Sequence, residues 1–466
     1  VTTLSALVLT VLVGVAHAGN FVEENGSDFD CDGLRDLVLD MPYENVGGKI
    51  NSGAVSITYS TTGTSQQLTQ DSPGIPGDLE ENDDFGQAYT AYDRNHDGCD
   101  DLVVSAPGED VNGFDDAGMV WVIPGSPTGL DTSGTTTYTQ DSPGFPGAAE
   151  VSDAFGWELA SGMTSDGTPF LLITSVGEND GAGAVHYVRS DVVSIITQNS
   201  TGVPGTAEPH DMFGSPLAVS DTFFAVGSVG EDFSGSIDAG MVHVFSHGAA
   251  SASPTPLAAA TQDTTGVSGT AEPADFFGFS LSVLPYRQSE GAPVGAALAV
   301  GSVRERVGDV FSAGMAHLLY VSASGVVSEI AAVTQNTSGV TGTPEREDSL
   351  GEDLVVANLD PNTTVARPDS MVWAVAASGE LTASGERSAV HAFPPGWQPG
   401  QRDIWLEDGT NGLPANSLRH IGRLRASASH LHVSSALYHE CHAVAWQNLL
   451  GTSTDLPATL RADGCR

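Results

Sequence analysis

Runs of four to eight residues in which apolar and polar side chains alternate recur along the whole chain, bounded by Gly, Pro, Ser and Asp. Seven follow a glycine or another small or turn residue: Gly53-Ala54-Val55-Ser56-Ile57, Gly118-Met119-Val120-Trp121-Val122, Gly183-Ala184-Val185-His186-Tyr187, Gly240-Met241-Val242-His243-Val244, Gly314-Met315-Ala316-His317-Leu318, Ser388-Ala389-Val390-His391-Ala392 and Cys441-His442-Ala443-Val444-Ala445. A period of two predicts short β-strands with one buried face. Long stretches of Leu, Glu, Lys or Arg are few, so the pattern predicts an all-β chain.

The strands sit in a larger repeat. A turn phrase appears as Thr69-Gln70-Asp71-Ser72-Pro73-Gly74, Thr139-Gln140-Asp141-Ser142-Pro143-Gly144, Thr197-Gln198-Asn199-Ser200-Thr201-Gly202, Thr261-Gln262-Asp263-Thr264-Thr265-Gly266 and Thr334-Gln335-Asn336-Thr337-Ser338-Gly339, with a degraded copy at Gly409-Thr410-Asn411-Gly412-Leu413-Pro414. About a dozen residues later comes Asp, any residue, an apolar residue and Gly, as in Asp83-Asp84-Phe85-Gly86, Asp153-Ala154-Phe155-Gly156, Asp211-Met212-Phe213-Gly214, Asp275-Phe276-Phe277-Gly278 and Asp348-Ser349-Leu350-Gly351. A small-residue turn follows in each unit: Ala106-Pro107-Gly108-Glu109, Ser175-Val176-Gly177-Glu178, Ser228-Val229-Gly230-Glu231, Ser302-Val303-Arg304-Glu305 and Ala377-Ser378-Gly379-Glu380. The period is roughly 60 to 70 residues with about four strands per unit, which is the blade of a propeller. Seven units predict one seven-bladed β-propeller with four-stranded blades. An array of β-sandwiches would need about 100 residues per unit, and the apolar-Gly pair signals close packing between units.

These motifs resemble the FG-GAP repeats of the integrin α-subunit N-terminal propeller and of secreted bacterial proteins built from the same unit; Phe85-Gly86 and Ala106-Pro107 match the two halves of the name. The resemblance runs from about Asp28 to the C-terminus and weakens in the last two units, where Leu350-Gly351 and Ile421-Gly422 stand for Phe-Gly. It implies an extracellular binding or adhesion module for a protein or glycan. Blades are expected at roughly 19–68, 69–138, 139–196, 197–260, 261–333, 334–404 and 405–466.

Two segments change the picture by adding a metal. Asp28, Asp30, Asp32 and Asp36, with Gly33, occupy positions 1, 3, 5, 9 and 6 of one loop; Asp93, Asn95, Asp97 and Asp101, with Gly98, repeat the arrangement in the next unit. Hard oxygen donors at alternate positions suit Ca²⁺, with the position-7 carbonyls of Leu34 and Cys99 as further ligands. An apolar strand begins at once and no Glu stands at position 12, so these look like the β-hairpin calcium loops of the FG-GAP family. Two structural Ca²⁺ sites are therefore expected, in the first two blades only.

The chain of 466 residues has 59 Asp and Glu against 16 Lys and Arg, a net charge of -43. That excludes nucleic acid and anionic membrane surfaces as natural partners, because counterion release needs clustered cations. The apolar run Leu4–Val15 ahead of Ala16-His17-Ala18 reads as a signal peptide, residues 1–18, with a buried strand or helix as the alternative. No other run approaches the ~20 apolar residues of a membrane span, so a secreted, extracellular monomer is expected. Its four cysteines allow three pairings; equivalent loops on one face favour Cys31 with Cys99, and strand spacing favours Cys441 with Cys465.

Reactive constellations are scarce. Val226-Gly227-Ser228-Val229-Gly230 is out of register for a nucleophile elbow, and His439-Glu440-Cys441-His442 is one residue short of a zinc motif. His186, His243, His317 and His391 share one repeat position and therefore one environment, whereas His430, His432, His439 and His442 form a denser group. Binding without catalysis is the expectation. A secreted hydrolase working at the channel mouth is the alternative, and a purely structural surface protein a weaker third.

Overall fold

The computed structural model describes residues 27–190, 192–248, 253–381, 387–410, 413, 421–435 and 441–451. The expected signal peptide, His439 and the Cys441–Cys465 pair, through Cys465, lie outside them. Seven antiparallel sheets follow one another along the chain, each with its strands in sequence order. The first contains Leu37–Met41, Ala54–Thr58 and Ser65–Leu68. The second is built from Tyr89–Tyr92, Asp101–Ala106, Met119–Ile123 and Thr136–Tyr138, and the third from Phe155–Met163, Pro169–Ser175, Ala184–Arg189 and Val192–Ile196. The fourth to sixth are four-stranded in the same way, opening at Leu217, Phe277 and Leu350. The seventh pairs Ile421–Ala426, His430–Ser435 and Cys441–Ala445. The protein is a seven-bladed β-propeller.

Burial grades outward through each blade. In the fifth, the second and third strands, Gly295–Ser302 and Met315–Val321, are buried at every residue, while the outer strand Val327–Val333 is mostly half-buried. The first strands of neighbouring blades face one another around the axis, and side chains clasp them together. Glu158 of the third blade accepts hydrogen bonds from Ser215 Oγ at 3.1 Å and Leu217 N at 3.0 Å in the fourth. Ser280 donates to Gly351 O at 2.6 Å, and Asp353 accepts from Leu424 N.

The joint between blades explains two of the repeated motifs as one device. The apolar residue of each Asp-x-apolar-Gly element donates its N–H to the preceding blade: Phe155 to Ala117 O at 3.0 Å, Phe213 to Ala182 O at 3.0 Å, Phe277 to Ala239 O at 2.9 Å and Leu350 to Ala313 O at 3.0 Å. The residue following each acceptor is the glycine that opens the third strand. At Gly183, with φ of +86°, a Cβ would lie 2.3 Å from Phe213 O, so only glycine permits the approach. The aromatic ring then enters the core between the two sheets, as Phe277 does among Val242, Val244, Leu298 and Val300.

Candidate functional site

The acidic loop of blade two joins its first two strands, that of blade one leads into Leu37–Met41, the strand equivalent to the second of blade two, and the two loops fold alike. In the first, Asp28 accepts from Asp32 N at 3.0 Å and Gly33 N at 2.8 Å, and Asp32 accepts from Leu34 N at 2.8 Å. In the second, Asp93 accepts from Asp97 N at 3.1 Å and Gly98 N at 3.0 Å, and Asp97 accepts from Cys99 N at 2.9 Å. Position 9 ties each loop to its sheet. Asp36 receives Phe29 N and Ser60 N, both at 2.9 Å, and Asp101 receives Arg94 N at 3.2 Å and Gly125 N at 3.1 Å.

In the first loop, carboxylate oxygens of Asp28, Asp30 and Asp36 lie within 4.8 Å of one another. Asp30 Oδ1 is buried and has no hydrogen-bond partner. Burial, more than the neighbouring charges, raises the Asp36 carboxyl to about 6 despite two backbone donors. Asp30 is also raised, by burial and then by Asp32 and Asp28. Such a group of hard, mutually repelling oxygens fits a divalent cation. The second loop differs at position 3, where Asn95 Oδ1 accepts from Asp97 N at 2.9 Å. Among the described residues no three of its carboxylates converge to the same distance. Leu34 is exposed and Cys99 is buried in a disulfide.

Two of the corresponding turns elsewhere carry their own cation. In blade three, Asp166 receives both oxygens' worth of hydrogen bonds from the buried Arg189 guanidinium, at 2.9 and 3.0 Å. In blade six, Arg367 lies 3.7 Å from Asp360.

The first loop also docks on the second blade. Asp28 N donates to Asp100 at 3.0 Å, Asp100 N returns a bond to Asp28 O at 2.9 Å, and Ser126 N reaches Phe29 O at 3.0 Å. Cys31 and Cys99 are disulfide-bonded, with Cα atoms 4.7 Å apart and a sequence separation of 68. A link closing a loop of that length stabilises by about 2–4 kcal/mol. Cys31→Ser with Cys99→Ser is expected to lower the melting temperature and to expose the first loop to proteolysis before the remaining blades; an unchanged cleavage pattern would contradict that role.

The histidines sit where the repeat places them. His186, His243, His317 and His391 are fully buried. His186 meets the Phe155 ring edge-on at 5.2 Å, and His243 and His317 meet Phe213 and Phe277 in the same way. His186 Nε2 donates to Pro146 O at 3.0 Å and His243 Nε2 to Pro204 O at 2.9 Å, the place Trp121 takes with Pro76 O. Burial lowers both imidazoles to about 4. His317 instead pairs with Glu329 at 2.9 Å, which also accepts from Ser268 Oγ. His391 pairs with Asp403 at 2.6 Å, which accepts from Thr341 Oγ1. The carboxylate lies between hydroxyl and imidazole, the reverse of a catalytic triad, where the imidazole stands in the middle. His430, His432 and His442 belong to no metal-holding group among the described residues.

One buried network is absent from the sequence reading. In five blades the Gln of the turn phrase donates through Nε2 to the Glu of the small-residue turn: Gln70 to Glu109, Gln140 to Glu178, Gln198 to Glu231, Gln262 to Glu305 and Gln335 to Glu380. Beside them, Asp153 accepts Glu150 N and Asp211 accepts Glu208 N. Burial pushes Glu109 to about 8, and Asp153, Asp211 and Asp275 to about 7. The signal was present: Glu305 persists where Arg304 has replaced the turn's glycine, so the Glu is what the turn keeps.

Loops between second and third strands project on the face opposite the acidic loops. In blades one to five each is held by the segment entering the next blade, as Asn82 N donates to Ile50 O and Ala274 N to Ile237 O. Their tips expose apolar side chains, Ile50 at 55%, Phe114 at 40%, Ile237 at 62% and Phe311 at 55%.

Residues 85–123 match the family model described as FG-GAP repeat. Over 179 residues the chain is 28% identical to phosphatidylinositol-glycan-specific phospholipase D of Bos taurus, covering 36% of this chain and 20% of that protein. The chain thus spans a small part of the curated relative it matches. The periplasmic gluconolactonase of Pseudomonas aeruginosa aligns with a TM-score of 0.38 and 14% identity, covering 83% of this chain and 85% of that one. No helix among the described residues is long and apolar enough to cross a membrane. The chain is a seven-bladed β-propeller carrying an FG-GAP repeat.

Proposed function

We propose that this propeller is a secreted, calcium-stiffened binding module whose loop tips contact an extracellular protein or glycan. The carrying observation is the division between buried polar joints and exposed apolar loop tips around the ring. The repeat imidazoles His186, His243, His317 and His391 and most repeat carboxylates are buried in joints, bonded to backbone, to Gln or to one another, while apolar tips stand exposed on one face. A rigid ring presenting variable loops suits recognition. Asp28, Asp30 and Asp36 would hold one Ca²⁺, with Asp32 and the Leu34 carbonyl nearby; Asp93, Asn95, Asp97, Asp101 and the Cys99 carbonyl would hold a second. The ion would neutralise the loop carboxylates and fix the docking of blade one on blade two.

The alternative, a hydrolase working at the channel mouth, draws further support only from the likeness to a phospholipase D, a fifth of whose length this chain covers. Surface plasmon resonance against extracellular proteins and glycans in calcium, run beside turnover assays with esters, lactones and phosphodiesters, separates the two. Saturable binding without turnover is expected. Turnover by purified protein would overturn the binding reading.

A further inference from the structure

Blade five places two arginines where the preceding unit has glycine and aspartate, with Asp238 facing Arg304 and Asp275 facing Arg306. Where the fourth unit reads Ser228-Val229-Gly230-Glu231-Asp232, the fifth reads Ser302-Val303-Arg304-Glu305-Arg306. Asp232 accepts from Asp238 N at 2.9 Å and so closes its own loop. Arg306 at the same position cannot accept, and its side chain turns onto an aromatic ring instead. Its guanidinium carbon lies 3.6 Å from the centre of the exposed Phe311 ring, and that of Arg304 lies 5.0 Å from the centre of Phe276.

Neither guanidinium forms an ion pair or hydrogen bond among the described residues, in a chain with 59 acidic residues. A cation stacked on an aromatic face is held in place while its N–H edge stays available for a carboxylate or sulfate. The surroundings continue the patch. Phe276 N donates to Asp238 O beside the exposed Ile237, and Glu347 N donates to Phe311 O, which brings Arg346, ion-paired with Glu347 at 3.3 Å, to the other side. Asp309 and Glu347 border it. The strands of a blade run between the two faces, so this face offers loop tips and no open strand edge on which a peptide could add.

Resting on the binding-module reading, we propose that the blade-five tips, Arg304, Arg306 and Phe311 with Ile237 and Arg346, bind an acidic polysaccharide. Carboxylates along the polymer meet the stacked guanidiniums, and the apolar faces of sugar rings cover Phe311 and Ile237. Charge lying farther off than about 8 Å is screened at physiological salt, so contact is set by Arg304 and Arg306 against the carboxylates immediately beside them, Asp238 and Asp275.

The test uses polygalacturonate as probe, with dextran as neutral control and poly-L-glutamate as acidic peptide, on the full chain in calcium. The variant Arg304→Gly with Arg306→Asp restores residues that unit four already carries, and thermal melting checks that it folds. Wild type is expected to bind polygalacturonate in preference to both controls, with affinity falling as salt rises, and the variant to bind it about tenfold or more weakly, roughly the loss of one charge-assisted contact. Equal binding by a folded variant, preference for poly-L-glutamate, or no binding to polygalacturonate would overturn the proposal. Capture of a different ligand, unaffected by the variant, would remove this surface and leave the binding-module reading standing.

Discussion

Replacing Phe277 with alanine is expected to destabilise the propeller by about 3–5 kcal/mol, the range for emptying a buried phenylalanine site. The ring is fully buried at the joint of blades four and five, edge-on to His317 at 5.3 Å. Its loss opens a cavity lined by both sheets, which cannot collapse because the backbone on either side is pinned. Phe277 N is bonded to Ala239 O, and Gly240 lies so close that a Cβ there would sit 2.3 Å from Phe277 O. Phe311→Ala, at an exposed tip, should move the denaturation midpoint little. If the two substitutions cost the same, the joint is not where the blades are held.

Lowering the pH from 8 to 6 in chelator is expected to raise the melting temperature, by about 5 °C. Burial raises Glu109 to about 8, and Glu158, Glu352, Glu380, Asp153, Asp211 and Asp275 to about 7. Folded protein then keeps protons that unfolded chain, with carboxyls near 4, has released. Their contribution is complete below the unfolded values and is lost as pH rises through 7 to 8. Opposing them, burial lowers His186, His243, His247 and His432 to about 4. Those four contribute fully above 6.5 and lose their effect as pH falls towards 4, mostly below the window chosen. A melting temperature that falls steadily from pH 8 to 6 would mean that the carboxyls ionise freely in the folded ring.

The fold was legible because its joints repeat. Phe-Gly, the closing glycine and the alternating strands recur at one spacing, and a ring of similar blades follows from them. The shared position of His186, His243, His317 and His391 likewise announced their common burial, but not their partners, which are proline carbonyls for the first two and Glu329 and Asp403 for the others. Long-range pairing was less visible. Gln262 and Glu305 lie in different strand connections and meet only once the blade is folded. Arg189 reaches Asp166 across a sheet, and Glu158 reaches Leu217 from one blade to the next. The acidic loops stood out because Asp at alternate positions is local, and the Cys31–Cys99 bond because those loops are equivalent. What the exposed tips recognise depends on side chains that vary from blade to blade, where repetition carries no information.

Thermal melting with calcium and with chelator, for wild type and for Asp30→Asn with Asp97→Asn, tests the metal-stiffened framework most directly. Asp30 Oδ1 is the buried oxygen without a partner, and its replacement keeps the shape while removing charge. The account predicts that calcium raises the wild-type melting temperature by about 5 °C or more, that the variant responds weakly, and that both melt alike in chelator. A wild type indifferent to calcium would contradict it and leave the two loops as ordinary acidic turns.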